Sequence, residues 1–294
     1  MGRARRAAAV SSLTSLCLAG TAIPAEAASG SLIITAVDRS GHVTSAHAWA
    51  VNTGTHRRYS FSTAKPRTLP NGHYGVAVVI APNGTNPGAT QTIGSRTFTM
   101  KGGRVTLRFD ARQGKRISMT TNTAHPYRVM YSADICVASD YLGSIANNDS
   151  VVNYDGVTNY AIPTSNRSVR FSATVEWSPT RSGPFYWAIG KPTYGIPSEP
   201  GFSWTHASFA KLSVKVLKGT VREPDTTLMM LPWASCRRGA DSFATFTAPR
   251  TVTAYVTPGQ WAPSIIYSGG VTGVNGVPYY KAGKTYHLTF TRKS

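Results

Sequence analysis

The chain reads as an all-β protein, and three observations predict it. Short runs of alternating apolar and polar residues recur along its length, broken by Gly, Pro, Asn and Ser. Glycine and proline number 27 and 18, which suits a chain of many turns. No run of twelve residues carries a convincing apolar stripe at helical spacing.

The elements follow in order. Residues 32–37 alternate as a strand, and Asp38-Arg39-Ser40-Gly41 turns it. Residues 46–51 and 59–62 give two more. Leu69-Pro70-Asn71-Gly72 then forms a tight turn: Pro70 fixes its φ, and Gly72 tolerates the positive φ that side chains resist. From there Tyr74, Val76, Val78 and Ile80 point to one face, and Gly75, Ala77, Val79 and Ala81 to the other. Both faces are apolar, which predicts a central strand. Residues 96–100, the loop Lys101-Gly102-Gly103 and residues 104–110 predict a hairpin, with Val105, Leu107 and Phe109 buried against Phe98 and Met100. About six strands make residues 29–120 one small β-sandwich domain.

The polar segment 119–127, ending in His125-Pro126, predicts a short linker to a second domain over residues 127–294. There Val169, Phe171, Ala173, Val175 and Trp177 alternate with Arg170, Ser172, Thr174 and Glu176, the cleanest half-buried strand in the chain. Leu212, Val214 and Val216 against Lys211, Ser213 and Lys215 make another. Residues 129–137, 185–189, 227–231, 242–248, 251–256 and 286–291 supply further strands, and 207–212 suits one short helical turn. Seven or more strands over this length predict a second sandwich with long loops.

Residues 1–28 read as a secretory signal: Arg3, Arg5 and Arg6, then a short core of small apolar residues, then Ala25-Glu26-Ala27 as the cleavage pattern. No later segment approaches the 18 uninterrupted apolar residues of a membrane helix. The expectation is a secreted, extracellular protein with no membrane span. The whole chain carries a formal charge of +19; losing three arginines and Glu26 with the signal leaves +17. Such a balance draws anionic polymers, although the cations are scattered, with local pairs only at Arg57-Arg58, Lys115-Arg116 and Arg237-Arg238. The mature chain keeps two cysteines, Cys136 and Cys236, which are expected to pair in an oxidising compartment. Closing a loop of about 100 residues stabilises by roughly 4–5 kcal/mol in the chain-entropy model.

Certain motifs resemble known families. Val37-Asp38-Arg39-Ser40-Gly41, Leu69-Pro70-Asn71-Gly72-His73-Tyr74 and the strand closing on Phe109-Asp110 resemble prealbumin-like domains, which include the regulatory domain of carboxypeptidases. Phe109-Asp110-Ala111-Arg112, Tyr160-Ala161-Ile162-Pro163 and Tyr280-Lys281-Ala282-Gly283-Lys284-Thr285-Tyr286 are similar to the non-catalytic β region of large secreted subtilisin-like proteases of actinobacteria. The resemblance implies a prealbumin-like first sandwich, an accessory role, and a secreted protease as one expected partner.

Chemistry is sparsely signalled. The subtilisin triad motifs, the Gly-x-Ser-x-Gly elbow and His-Glu-x-x-His are all missing from the sequence. His42 and His47 are five apart, unsuited to a shared metal, and no cofactor or metal is expected. Glu176, or Asp140 with Asp155, would be the carboxylates of a hydrolase, but a Glu on the outward face of a sheet beside Arg170 reads as a charge partner. Aromatic residues give the candidate ligand contacts: Tyr186 and Trp187, then Trp261, Tyr267, Tyr279 and Tyr280, whose rings can stack on sugars or fill a core. No motif for specific nucleic-acid recognition occurs. The expected function is a secreted non-enzymatic accessory or binding protein that takes an anionic cell-wall polymer or glycan. An extracellular hydrolase, or a partner or remnant of a secreted protease, is the alternative.

Overall fold

The computed structural model describes residues 28–81, 90–120, 128–137, 148–153, 158–180, 182–217, 226–232, 243–267, 270–273 and 276–291. The expected signal segment, most of the linker, and Cys236, Arg237, Arg238, Asp140 and Asp155 lie outside them.

In chain order the strands begin β1 (Ser29–Val37), β2 (Val43–Thr44), β3 (His47–Asn52), β4 (Arg58–Ser62) and β5 (Arg67–Pro70). Next come β6 (Gly72–Ile80), β7 (Thr92–Met100), β8 (Gly103–Asp110), β9 (Lys115–Arg116) and β10 (Ser118–Thr120). The second half holds β11 (Arg128–Val137), β12 (Asn148–Asn153), β13 (Tyr160–Ala161), β14 (Val169–Ser178) and β15 (Phe185–Ile189). It continues with β16 (Thr193–Tyr194), β17 (Gly201–Ser203), β18 (Ala210–Leu217), β19 (Thr226–Pro232) and β20 (Phe243–Phe246). The last are β21 (Arg250–Val256), β22 (Gly259–Tyr267), β23 (Gly270–Gly273), β24 (Tyr279–Tyr280) and β25 (Thr285–Thr291). The all-β reading holds: among the described residues the only helices are 3-10 turns at Ala111–Gln113 and His206–Ser208.

These strands stack as layers. The first layer is β2-β1-β5, with β8 parallel to β1. The second runs β4-β3-β6-β7-β13-β9, the third β12-β11-β14-β15-β21-β18-β25, and the fourth β20-β19-β22-β23. Between the first two lies a core of Leu32, Ile34 and Phe109 against Ala48, Val76, Val78 and Ile80. Between second and third, Val79 and Ile93 meet Ile135, Val137, Val169 and Phe171. Between third and fourth, Leu212, Val214 and Trp187 meet Leu228, Met230 and Trp261.

This arrangement explains β6. Its two apolar faces belong to two different cores: Val76, Val78 and Ile80 turn to the first layer, Val79 to the third. Gly75 sits on the latter side, where an added Cβ would lie 2.3 Å from the Val137 Cβ. Residues from both halves of the sequence therefore share one core, and β13 enters the second layer directly by pairing with β7 and β9.

The predicted hairpin at 96–110 is corrected. β7 pairs with β6 and β13, β8 pairs with β1, and the two strands lie in different layers. Gly102 and Gly103, at φ 76° and 66°, let the chain arch between layers instead of folding back within one. The packing expected of Phe98 and Met100 on Val105, Leu107 and Phe109 survives, face to face across the core. The Leu69–Gly72 turn is the matching arch: β5 ends in the first layer and β6 starts in the second. Gly72 holds φ 152°, and the Gly102 N–H donates to Asn71 Oδ1, tying the two arches together. Tyr74, 1 % exposed, donates its hydroxyl to the Pro70 carbonyl at 2.9 Å and stacks on Phe98 at 5.3 Å.

Candidate functional site

The residues expected to touch a ligand are mostly structural. Trp187 and Trp261 are fully buried and Tyr280 is 1 % exposed, all three in the core between third and fourth layers. The Trp261 Nε1–H donates to the Thr257 carbonyl at 2.8 Å, and Tyr280 meets Tyr286 edge-on at 4.9 Å. Tyr267 is half-buried against the same core. Of the six, Tyr279 alone is well exposed, at 59 %. Their rings satisfy the interior, so the expectation of a ligand platform at Trp187, Trp261 and Tyr280 is corrected.

Glu176 is corrected likewise. It is 4 % exposed, not outward-facing, because the fold buries both faces of β14. Its register neighbours are Met130 and Trp187. Arg170 lies six residues away along the same strand, with its guanidinium 5.3 Å over the Tyr194 ring. Asp134 is also buried, but its register partner is Ser172. Four residues of strand, about 13 Å, thus separate the level of Asp134 from that of Glu176.

His42 lies 3.9 Å from Asp38, while His47 contacts the Trp49 ring at 4.0 Å and Ser60 Oγ at 3.0 Å. Burial, and then the Arg58 charge, lower the pKa of His47. Among the described residues no three His, Cys, Asp or Glu side chains converge as a metal site. No helix among them is long and apolar enough to cross a membrane. Cys136, 9 % exposed on β11, is disulfide-bonded.

The feature that does assemble at the surface is one face of β21, β18 and β25. Alternation turns Leu212, Val214 and Val216 into the core and leaves Lys211 and Lys215 exposed. β25 runs parallel to β18 and exposes Thr285, His287, Thr289 and Thr291. β21 runs antiparallel on the other side, with Thr251 exposed and Thr253 and Tyr255 half-exposed. The register sets rows across the three strands: Tyr255, Lys211, Thr285, then Thr253, Ser213, His287, then Thr251, Lys215, Thr289. Lys281 and Lys284 add exposed ammonium groups beside the first row, where the Lys211 N–H donates to the Lys284 carbonyl at 2.9 Å.

The first row continues inward as a ring column. Tyr255 stacks on Tyr186 at 4.7 Å, and Tyr186 on Trp177 at 4.9 Å. Phe209 meets Trp177 and Tyr186 edge-on, and exposed His206 meets Tyr255 edge-on at 4.8 Å. Tyr255 is therefore a ring held by its neighbours at the margin of a hydroxyl-rich, cationic sheet face. The sequence showed the alternation at Lys211 and Lys215; the partnership with residues 285–291 depends on a pairing it does not display.

Among the described residues no carboxylate offsets the charge on this face. The carboxylates among the described side chains are Asp38, Asp110, Asp134, Glu176 and Glu199, and none stands on β18, β21 or β25. Asp110 is committed elsewhere, holding Arg112 at 2.6 Å and Arg108 at 3.5 Å. Lys211 and Lys215 are four residues apart, about 13 Å. Their mutual repulsion in water is about 0.3 kcal/mol, so the array costs little to maintain.

No protein-family model and no curated protein matches the chain. Among solved structures it is similar to the Bacillus anthracis TIE protein at 10 % identity and a TM-score of 0.23, covering 90 % of this chain and 50 % of that one. It is similar to BcpA, the major pilin subunit of Bacillus cereus, at 9 % identity and a TM-score of 0.18, covering 90 % and 98 % of the two chains. The Streptococcal ancillary pilin gives 10 % identity and a TM-score of 0.21, covering 90 % and 99 %. The chain spans half the length of the TIE chain. At such scores these likenesses carry no argument about activity or partners.

Proposed function

We propose that the chain is a non-enzymatic extracellular protein that holds an anionic polysaccharide across the β21–β18–β25 face. The observation that supports this reading most is the set of exposed lysines 211, 215, 281 and 284 without a carboxylate partner among the described residues, continuous with the Tyr255 ring. Spaced ammonium groups match repeating anions, backbone-level hydroxyls match sugar hydroxyls, and a fixed aromatic ring matches a pyranose face. The binding is electrostatic and therefore salt-dependent.

Retention on immobilised heparin over a salt gradient tests it, with neutral dextran as the uncharged control. Wild type is retained on heparin and not on dextran, and Lys211→Gln/Lys215→Gln/Lys284→Gln elutes at clearly lower salt. Each lysine removed lowers the slope of log affinity against log salt by about one. Identical elution of the triple variant and wild type overturns the placement of the site. Displacement by DNA as efficient as by heparin at equal charge overturns the polysaccharide class.

A further inference from the structure

A second cationic surface lies elsewhere in the fold. Among the described residues strand β4 ends the second layer, bonded to β3 on one side only. Arg57, just before β4, and Arg67, on β5 of the first layer, set their guanidinium groups over the same Tyr59 ring, at 5.3 and 5.8 Å from its centroid. Tyr59 is 9 % exposed, so the ring is a fixed base, and cation–π attraction to it orients both arginines. Lys65 is exposed in the connection between these strands. Arg57, Lys65 and Arg67 take part in none of the ion pairs among the described residues.

Position separates this surface from the lysine face. The second layer rests on the third where Gly75 of β6 meets Val137 of β11. β7, β13 and β9 follow β6 in the second layer, and Ile93, Ile117 and Ala161 share a core with Val169 and Phe171. β4 lies on the opposite side of β6, two strands or about 10 Å away. β18 lies four strands or about 19 Å from β11, beyond β14. The two surfaces thus belong to different layers, several strands apart, and that separation exceeds the Debye length of about 8 Å at physiological salt. Each surface is therefore largely screened from the other's charge.

From this, and resting on the function proposed above, we infer that the protein is bivalent: Arg57, Lys65 and Arg67 hold a second anionic polysaccharide strand, so one molecule bridges two strands. Occupying both surfaces links polymers into a network, whereas excess polymer separates them into singly bridged complexes.

Light scattering during titration of the full chain with dextran sulfate tests this. Wild type gives a scattering maximum that collapses in excess polymer. Arg57→Gln/Lys65→Gln/Arg67→Gln is still retained on immobilised heparin through the lysine face, eluting at higher salt than the lysine variant, and loses most of the maximum. A charge-matched control, Arg104→Gln/Arg116→Gln/Lys191→Gln, keeps the maximum. Undiminished scattering from the first variant, or equal loss from the control, overturns bivalency while leaving the lysine face intact. Heparin retention that falls in the first variant while the lysine variant elutes like wild type instead places the primary site on β4, and overturns both assignments.

Discussion

Replacing Gly75 by alanine probes the seam between the second and third layers. The new Cβ would meet Val137 Cβ at 2.3 Å, Cγ2 at 2.8 Å and Cγ1 at 3.1 Å. Carbon atoms in favourable contact stand about 3.5–4.0 Å apart, so the layers must part by roughly 1.2–1.7 Å. β6 cannot yield alone, because Gly75 is paired with Val51 on one side and Thr97 on the other. Overpacking of this kind costs about 1–3 kcal/mol, offset by about 0.5–1 kcal/mol from stiffening the unfolded chain. A net loss of about 1–2 kcal/mol is expected, read as a lowered urea midpoint by tryptophan fluorescence. Val137→Gly removes all three clashing atoms, so the double variant should recover at least half of the loss relative to Val137→Gly alone, a non-additive coupling. Gly54→Ala, whose nearest neighbour is Asn52 Oδ1 at 3.5 Å, should stay within about 0.5 kcal/mol of wild type. If Gly75→Ala matches Gly54→Ala, or Val137→Gly gives no relief, the layers do not meet there and the shared core is wrong.

Two titrating groups give pH predictions. Burial, and then Tyr286, push the Tyr280 hydroxyl up to about 12, and that hydroxyl has no hydrogen-bond partner among the described residues. The unfolded tyrosine ionises from about pH 10, so this residue's contribution is intact below pH 10 and lost between 10 and about 12. Tyr280→Phe should be at least as stable as wild type at pH 7, with a urea-midpoint advantage that widens from pH 9 to 11.5; a constant difference would contradict this. Hydrogen bonds from the Arg112 side chain hold the Asp110 carboxyl well below the usual carboxylate range, so its contribution is present above about pH 4 and fades as pH falls. Asp110→Asn should lower Tm at pH 7 and converge on wild type towards pH 2, whereas a gap that persists at pH 2 would mean the carboxylate charge is not what stabilises.

How much of this was legible depended on whether the cause was local. Tyr74 to Ile80 announced a strand covered on both faces, because the apolar residues that need cover are contiguous in sequence. Leu212, Val214 and Val216 against Lys211 and Lys215 announced their inward and outward sides for the same reason. Glu176 was misread since its strand alternates as if one side were wet, while the cover arrives from distant strands. The arch at Lys101–Gly103 looks like a hairpin turn until the parallel partner of β8, some seventy residues upstream, is known. Trp187, Trp261 and Tyr280 show the limit for aromatics: the same ring suits a sugar or a core, and only packing decides.

The shared middle core also imposes a timetable on the nascent protein. β7 ends at Met100, but the strands that cover Val79 and Ile93 are complete only when β14 ends at Ser178. At about 5–20 residues per second, that interval lasts roughly 4–16 s. Throughout it the emerging chain presents an uncovered apolar face. Stalling or proteolysis in that window would release a fragment prone to clump, whatever the finished protein's solubility.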